Sequence, residues 1–592
     1  MNPRYRVLPH LPYDLRFSVD RHTDTHFTPT RFATREEAEA RRETLRFNLR
    51  MAAGLYPWPE KTPLNVRREL VGEYEGYAIY KIMFESYPGI WSTGNLYLPR
   101  PLTGKHPAIL NVIGHWERQR LTRQEDGDFP QQIANFARMG FVCLVTDMIG
   151  KVDSRQLSHD YGRDERELWA SNGLGVQLWN NIRALDLLCD MPEVDGDHIG
   201  VTGASGGGSQ TLFLSLVDER IKAAAPINMI SLHMQGGCQC ENAAGLRRDT
   251  DNTEMCSLLA PRPLFLAGST GDWTKYQETE EYPAVRDVYA LFGAEDKVEH
   301  YYQIAPHQYN ANTRRRVYSF LARHLMGKEM EWEEQPIETP DPADLVWFKD
   351  GERAPGHDSD ESYFAAHKAE LTARAATLPV DERKRMLAWV TGIDGRDFTV
   401  ADGMVEETDG ITVERNVLTS ARGEQIPFVR LTPKGWDGKR LCLMLGDRKD
   451  CVDTPAAEAM LAQGIALLSG DLFLTGEFEG AYYAFPNDNA RRYFTTFHYT
   501  AAAHQAQDVS LLYRLAASTA DQVSLYATGT VTPIAACALP LLDGVKSATL
   551  EGRGLELTAD RDYMERFFLP CLLPLGGVQG CLQMAGCPVE ML

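Results

Sequence analysis

Between residues 77 and 305, apolar and β-branched runs alternate with helix-like segments, and this alternation restricts the fold more than any other feature. The runs cover 77–85, 90–98, 107–113, 141–147, 198–202, 222–227, 263–269 and 298–305. From the third run onward, helix-like segments at 131–139, 175–189, 210–216 and 282–292 separate them. Two hairpin-like strands followed by alternating strand and helix predict an α/β fold with a mostly parallel, doubly wound sheet. Residues 107–113 and 141–145 are nearly continuous apolar runs, as expected of strands covered on both faces. Thr34 and Glu37 form a T-x-x-E capping box that predicts a helix ahead of the sheet, with Gly54 to close it.

In such a sheet, chemistry collects at the carboxyl ends of the strands. The stretch VTGASGGGSQT, residues 201–211, lies at one of them and reads G-x-S-x-G across Gly203, Ser205 and Gly207. A phosphate loop needs a lysine after its last glycine, and none occurs before Lys222. A dinucleotide G-x-G-x-x-G does not fit either. The remaining functional reading is a nucleophile elbow, in which Ser205 occupies a strained turn and the glycines allow close approach of strand and helix. The bland alternative is a Gly/Ser loop without chemistry.

A serine hydroxyl needs a base, and the base needs an orienting carboxylate. The elbow scheme predicts the chain order Ser, acid, His. Asp272 falls just beyond the run at 263–269, and His307 just beyond that at 298–305, so both reach the sheet edge of Ser205. Glu241 is an alternative acid. The oxyanion hole requires two backbone N–H donors. Gly206 supplies one, and His115 or Trp116, in the loop after residues 107–113, supplies the other.

Collinear segments of the first ~330 residues, among them GHW, DMIG, LWNNIRALDLL, MQGGCQCENAAGLR, APRPL, GDWTK and APHQYN, resemble the α/β-hydrolase superfamily. The resemblance is to its acetyl xylan esterase and dienelactone-hydrolase-like branch. It implies a Ser205–Asp272–His307 triad and ester hydrolysis, often on acylated carbohydrate. The C-x-C of Cys238 and Cys240 beside Glu241 has no second ligand pair at zinc spacing, so neither metal nor cofactor is expected. A loop bordering the active site is the expectation there, with Arg247 and Glu241 as substrate contacts. Trp116 and Trp273 flank the catalytic positions and are candidates for stacking on a sugar ring.

The Pro- and acid-rich stretch EEQPIETPDPADL reads as a linker, followed by helical segments near 361–378 and 380–390. A new strand–helix series starts near Phe398 and repeats the first half at an offset of 324: MLAQGIALLSGD falls on FARMGFVCLVTD, and AQDVSLLYRL on IRALDLLCDM. Gly529 then stands where the nucleophile belongs, and the same offset carries acid and base past Leu592. The expected organisation is a catalytic α/β-hydrolase domain over 1–332, a connector over 333–397, and a degenerate, truncated α/β-hydrolase-like domain over 398–592. That last domain packs, forms a homo-oligomer or shapes substrate access.

With 592 residues and a formal charge of −21, the chain is too long for one core and ill-suited to nucleic-acid backbones or anionic membranes. The first twenty residues lack a signal-type apolar core, no run reaches a membrane span, and the eleven cysteines sit partly inside strand-like runs. A cytoplasmic protein with reduced thiols is expected, unless a leader has been trimmed. The leading functional expectation is a serine esterase acting on a small-molecule or oligosaccharide ester, with activity favoured at neutral to basic pH because His307 must be unprotonated to act. The alternatives are a peptidase or amidase of the same fold, and a binding or scaffold protein with a vestigial site.

Overall fold

The structure is a computed structural model that describes residues 3–7, 14–338, 340–349, 351–478, 480, 483, 485–552 and 555–592. Its chain divides into two compact units. The first comprises His22–Arg166 with Ala170–Ala369, the second Met1–Arg21, Glu167–Trp169 and Glu370–Leu592.

The first unit is built on nine strands: β1 (Arg67–Tyr74), β2 (Tyr77–Tyr87), β3 (Ile90–Pro99), β4 (His106–Val112), β5 (Val142–Thr146), β6 (Val194–Ala204), β7 (Ile221–Ile227), β8 (Leu264–Gly271) and β9 (Val298–Pro306). They form one sheet in the order β1-β2-β3-β5-β4-β6-β7-β8-β9. Pairings are antiparallel from β1 to β5 and parallel from β5 to β9. Helix α1 (Arg35–Ala52) begins at the Thr34 cap, whose Oγ1 accepts from Glu37 N at 3.2 Å. Helix α2 (Phe129–Met139) is capped by Asp128 and stopped by Gly140 at φ 105°. Helix α3 (Gly173–Asp190) starts at Asn172, whose side chain accepts from Gly175 N at 2.9 Å. Helix α4 (Gly206–Val217) leaves the end of β6. β4 and β5 are buried at their carboxyl halves because helices cover both faces, and the core joins Ile109, Cys143, Ile133, Phe136, Phe320 and Leu321.

The second unit repeats this plan. Its strands are β10 (Phe398–Val400), β11 (Met404–Thr408), β12 (Ile411–Ser420), β13 (Gln425–Pro433), β14 (Arg440–Leu445), β15 (Ala466–Gly470), β16 (Gln522–Ala527), β17 (Ala548–Leu550) and β18 (Val589–Met591). The order is β10-β12-β13-β15-β14-β16-β17-β18, with β11 on β12. From β13 onward, order and direction match β3-β5-β4-β6-β7-β8, including the antiparallel step from β13 to β15 and the parallel pairings after it.

A buried charge cluster is repeated as well. In the first unit Arg120 lies 3.0 Å from Asp147 and 2.7 Å from Asp153. In the second, Lys449 pairs with Asp471 and Glu477, and both carboxylates sit 324 positions after their counterparts. Burial is the chief force on Asp147 and raises its carboxyl to about 6 against the pull of Arg120. A generic α/β pattern would not reproduce an internal cation held between two acids after the same strand.

Two boundaries differ from the sequence expectation. Residues at the amino terminus belong to the second unit, where Tyr5 donates to Asp453 at 2.8 Å and buried Arg16 bridges Asp14 and Asp508. The expected linker belongs to the first unit up to its end at Leu345, Thr339 lying outside the described residues. Its backbone is held by side chains: Gln335 O accepts from Gln131 Nε2 at 2.7 Å, and Glu334 pairs with Arg314 at 2.6 Å. Pro and acid content signalled absence of regular structure there, but these side-chain contacts fix the segment in place. Among the described residues no helix is long and apolar enough to cross a membrane.

Candidate active site

Ser205 follows the last residue of β6 and has φ 58° and ψ −127°, a left-handed position that costs a non-glycine residue energy. Its N–H donates to Ile227 O at 3.0 Å, and its carbonyl accepts from Ser209 N at 3.1 Å, so the turn is held on both sides. A Cβ on Gly203 would stand 2.2 Å from Val112 O, and one on Gly207 2.3 Å from the same atom. Both glycines are therefore required where the turn meets the end of β4. Gly114, in the loop after β4, lies close enough that its Cβ would be 3.2 Å from Ser205 Cβ.

Asp272 follows β8 and His307 follows β9. His307 Nδ1 lies 2.9 Å from Asp272 Oδ2, with 1% of the Asp272 side chain and 29% of that of His307 exposed. Asp272 Oδ2 also accepts from Asn228 Nδ2 at 2.6 Å, and Oδ1 from Thr274 N at 2.6 Å. Burial acts to raise the Asp272 carboxyl, but the hydrogen bonds from His307, Asn228 and Thr274 outweigh it and hold the group below the ordinary carboxylate range. An ionised acid in this place fixes the proton of His307 on Nδ1 and leaves the Nε2 lone pair free.

The Trp273 ring lies 4.4 Å from that of His307, and the Trp116 ring 6.3 Å away and nearly parallel. Gln119, fully buried, donates to Gly114 O at 2.9 Å and Trp116 O at 2.7 Å. It thereby sets the orientation of the peptides in the loop that holds His115 and Trp116. Neither Asn228 nor Gln119 was singled out from the sequence. Asn228 carries one trace there, its place directly after β7 at the sheet edge of Ser205.

Two expected substrate contacts do not face the site. Arg247 is wholly buried, with Asn252 Oδ1, Glu241 O and Asn242 Oδ1 at 3.0–3.1, 2.9 and 3.1 Å. Burial pushes its guanidinium down to about 10 despite Glu241 and Asp251. Glu241 is 4% exposed, and its carboxylate accepts from Ser209 Oγ at 2.7 Å and from the N–H groups of Gly237 and Cys238. It braces a loop, and the acid beside His307 is Asp272.

The C-x-C motif is not isolated. His115 and His159 approach Cys238 and Cys240, and the four ligand-type atoms lie within 4.8 Å of one another. Sequence spacing gave no second ligand pair because His115 arrives from the loop after β4 and His159 from the segment after β5.

Residues 68–230, from β1 past Ser205, match the model of the acetyl xylan esterase (AXE1) family. The first unit has the α/β-hydrolase fold, and its matched part is similar to the acetyl xylan esterase family. The chain is a carboxylic ester hydrolase, and at family level a serine carbohydrate esterase. It is 24% identical over 225 residues to YtaP of Bacillus subtilis (strain 168), named as a hydrolase, covering 36% of this chain and 75% of that one. Among solved structures, the methylesterase BT1017 is 27% identical with a TM-score of 0.46, over 61% of this chain and 78% of that one. A glucuronoyl esterase from Solibacter usitatus is 16% identical with a TM-score of 0.39, over 49% and 94%.

Proposed function

We propose that the esterase hydrolyses acylated carbohydrate through Ser205, His307 and Asp272. His307 Nε2 takes the Ser205 proton as Oγ attacks the ester carbonyl. The tetrahedral oxyanion is held by the Gly206 N–H and a backbone N–H of the loop at His115 and Trp116. Collapse expels the sugar alcohol, which receives the proton from His307. Water activated by the same imidazole then releases the acid from the acyl-enzyme. Half-buried Trp116 and Trp273 form the walls beside His307 and accept a sugar ring.

The observation that carries this reading is that one sheet edge presents a strained, glycine-flanked Ser205 after β6 and, after β9, a His307 whose Nδ1 is engaged by a buried carboxylate that also accepts from Asn228 and Thr274. The second unit is read as non-catalytic. Its left-handed elbow position falls on Gly529 at φ 72°, while the flanking hydroxyls of Thr528 and Thr530 bond to Glu551 and Asp447. Acetate release from acetylated xylo-oligosaccharides tests the substrate class. Turnover that disappears in Ser205→Ala supports it, and absence of release from any acetylated oligosaccharide by the wild-type chain refutes it.

A further inference from the structure

The geometry points to a tetrahedral zinc site formed by His115, His159, Cys238 and Cys240, beside the esterase centre. With Zn–S bonds of about 2.3 Å and Zn–N bonds of about 2.0–2.1 Å, a tetrahedron has edges of about 3.3–3.8 Å. His159 Nε2 lies 3.1 Å from Cys238 Sγ and 3.8 Å from Cys240 Sγ, and His115 Nε2 lies 3.3 Å from Cys240 Sγ. The imidazoles meet at 77° with centroids 5.2 Å apart, as rings converging on one point from different directions do.

The groups around these ligands are arranged as a metal site requires. His159 Nδ1 lies 2.9 Å from Ile149 O, so its N–H donates to that carbonyl and the Nε2 lone pair faces the cluster. The Glu241 carboxylate accepts from the N–H groups of Gly237 and Cys238, and Gln210 donates to Cys240 O at 3.1 Å, which fixes the turn that presents both sulfurs. This gives Glu241 a purpose that the reaction does not.

Two thiolates and two neutral imidazoles select a borderline-soft divalent ion of tetrahedral preference. Binding releases both thiol protons, and the two thiolate charges balance the zinc. With four protein ligands the coordination is closed, so the ion does not activate water; its role is structural. It ties together three segments: the loop after β4, the segment at His159 and the loop at 236–241. His115 is the link to catalysis, since a Cβ on Gly206 would stand 2.4 Å from its Cε1. On the proposed mechanism, a metal-held His115 keeps the oxyanion loop against the residue that follows Ser205.

The test uses the full chain, expressed with added zinc and purified under reducing conditions without chelator. Elemental analysis should find one zinc per chain, and Cys238→Ser with Cys240→Ser should lower it to background. Because a variant can fail to fold, wild-type chain stripped and reloaded with Co²⁺ supplies a second reading. It should show the intense d–d bands of tetrahedral cobalt and a thiolate charge-transfer band. Metal content no higher than in the double variant, a cobalt spectrum without those bands, or a native mass lower by two hydrogens from a Cys238–Cys240 disulfide would each overturn the site. None of these readings depends on the identity of the nucleophile.

Discussion

Asp272→Asn isolates what the carboxylate does for His307. Four donors from three residues converge on it: His307 Nδ1 at 2.9 Å, Asn228 Nδ2 at 2.6 Å, Thr274 N at 2.6 Å and the Thr274 hydroxyl. An asparagine has one acceptor oxygen, and the immovable Thr274 N–H holds it on the Oδ1 side. Its amide N–H groups then face His307, which responds by baring Nδ1 and moving its proton to Nε2, the atom that must accept from Ser205. Restoring the productive tautomer leaves opposed buried donors, at about 1–3 kcal/mol. Losing an anion some 4 Å from the forming imidazolium forfeits about 4 kcal/mol at an effective dielectric constant near 20. Together these amount to about 5–7 kcal/mol, or about four to five orders of magnitude in kcat. The assay is p-nitrophenyl acetate hydrolysis by wild type and variant from pH 6 to 9. Because Asp272 is held below the ordinary carboxylate range, it is anionic throughout, and the defect should persist across that interval. A loss under about 30-fold, or one confined to KM, would refute the orienting role.

Other perturbations follow from the same geometry. Glu281 is buried and accepts from Leu232 N, and burial raises its carboxyl from 4.5 to about 7. The folded state therefore binds the proton more tightly, so stability falls as pH rises from about 4.5 to 7. Glu281→Gln should remove that slope, worth at most about 3 kcal/mol, in urea melts at several pH values. A Cβ on Gly175 would lie 1.9 Å from Ala53 O, so Gly175→Ala should cost about 1–3 kcal/mol or more and lower Tm with the triad untouched. Gln119→Ala frees the carbonyls of Gly114 and Trp116 and should lower kcat about 10- to 100-fold with little change in KM.

The central strands were legible because both their faces are buried, which leaves uninterrupted apolar runs such as 141–145. Strand β1, RRELVGEY, was not, since it is an edge strand with mostly exposed, charged side chains and no alternation to follow. Ser205, Asp272 and His307 could be placed because each stands directly after a strand whose end the sequence marks. Their supports could not: Gln119 acts through carbonyls, and Asn228 through one carboxylate, neither of which leaves a spacing pattern. Arg247 shows the opposite error. A cation in a loop beside the site suggested a ligand contact, but its partners are carbonyls and amides of that loop. The histidines facing Cys238 and Cys240 lie 79 and more residues away, where only the folded sheet brings them together.

Intact-mass measurement of wild type and Ser205→Ala after exposure to a fluorophosphonate tests the assignment of the nucleophile most directly. One adduct on the wild-type chain and none on the variant is expected, which also leaves the second unit without an activated serine. An adduct that survives the substitution, or a wild-type chain that takes none, would contradict the assignment.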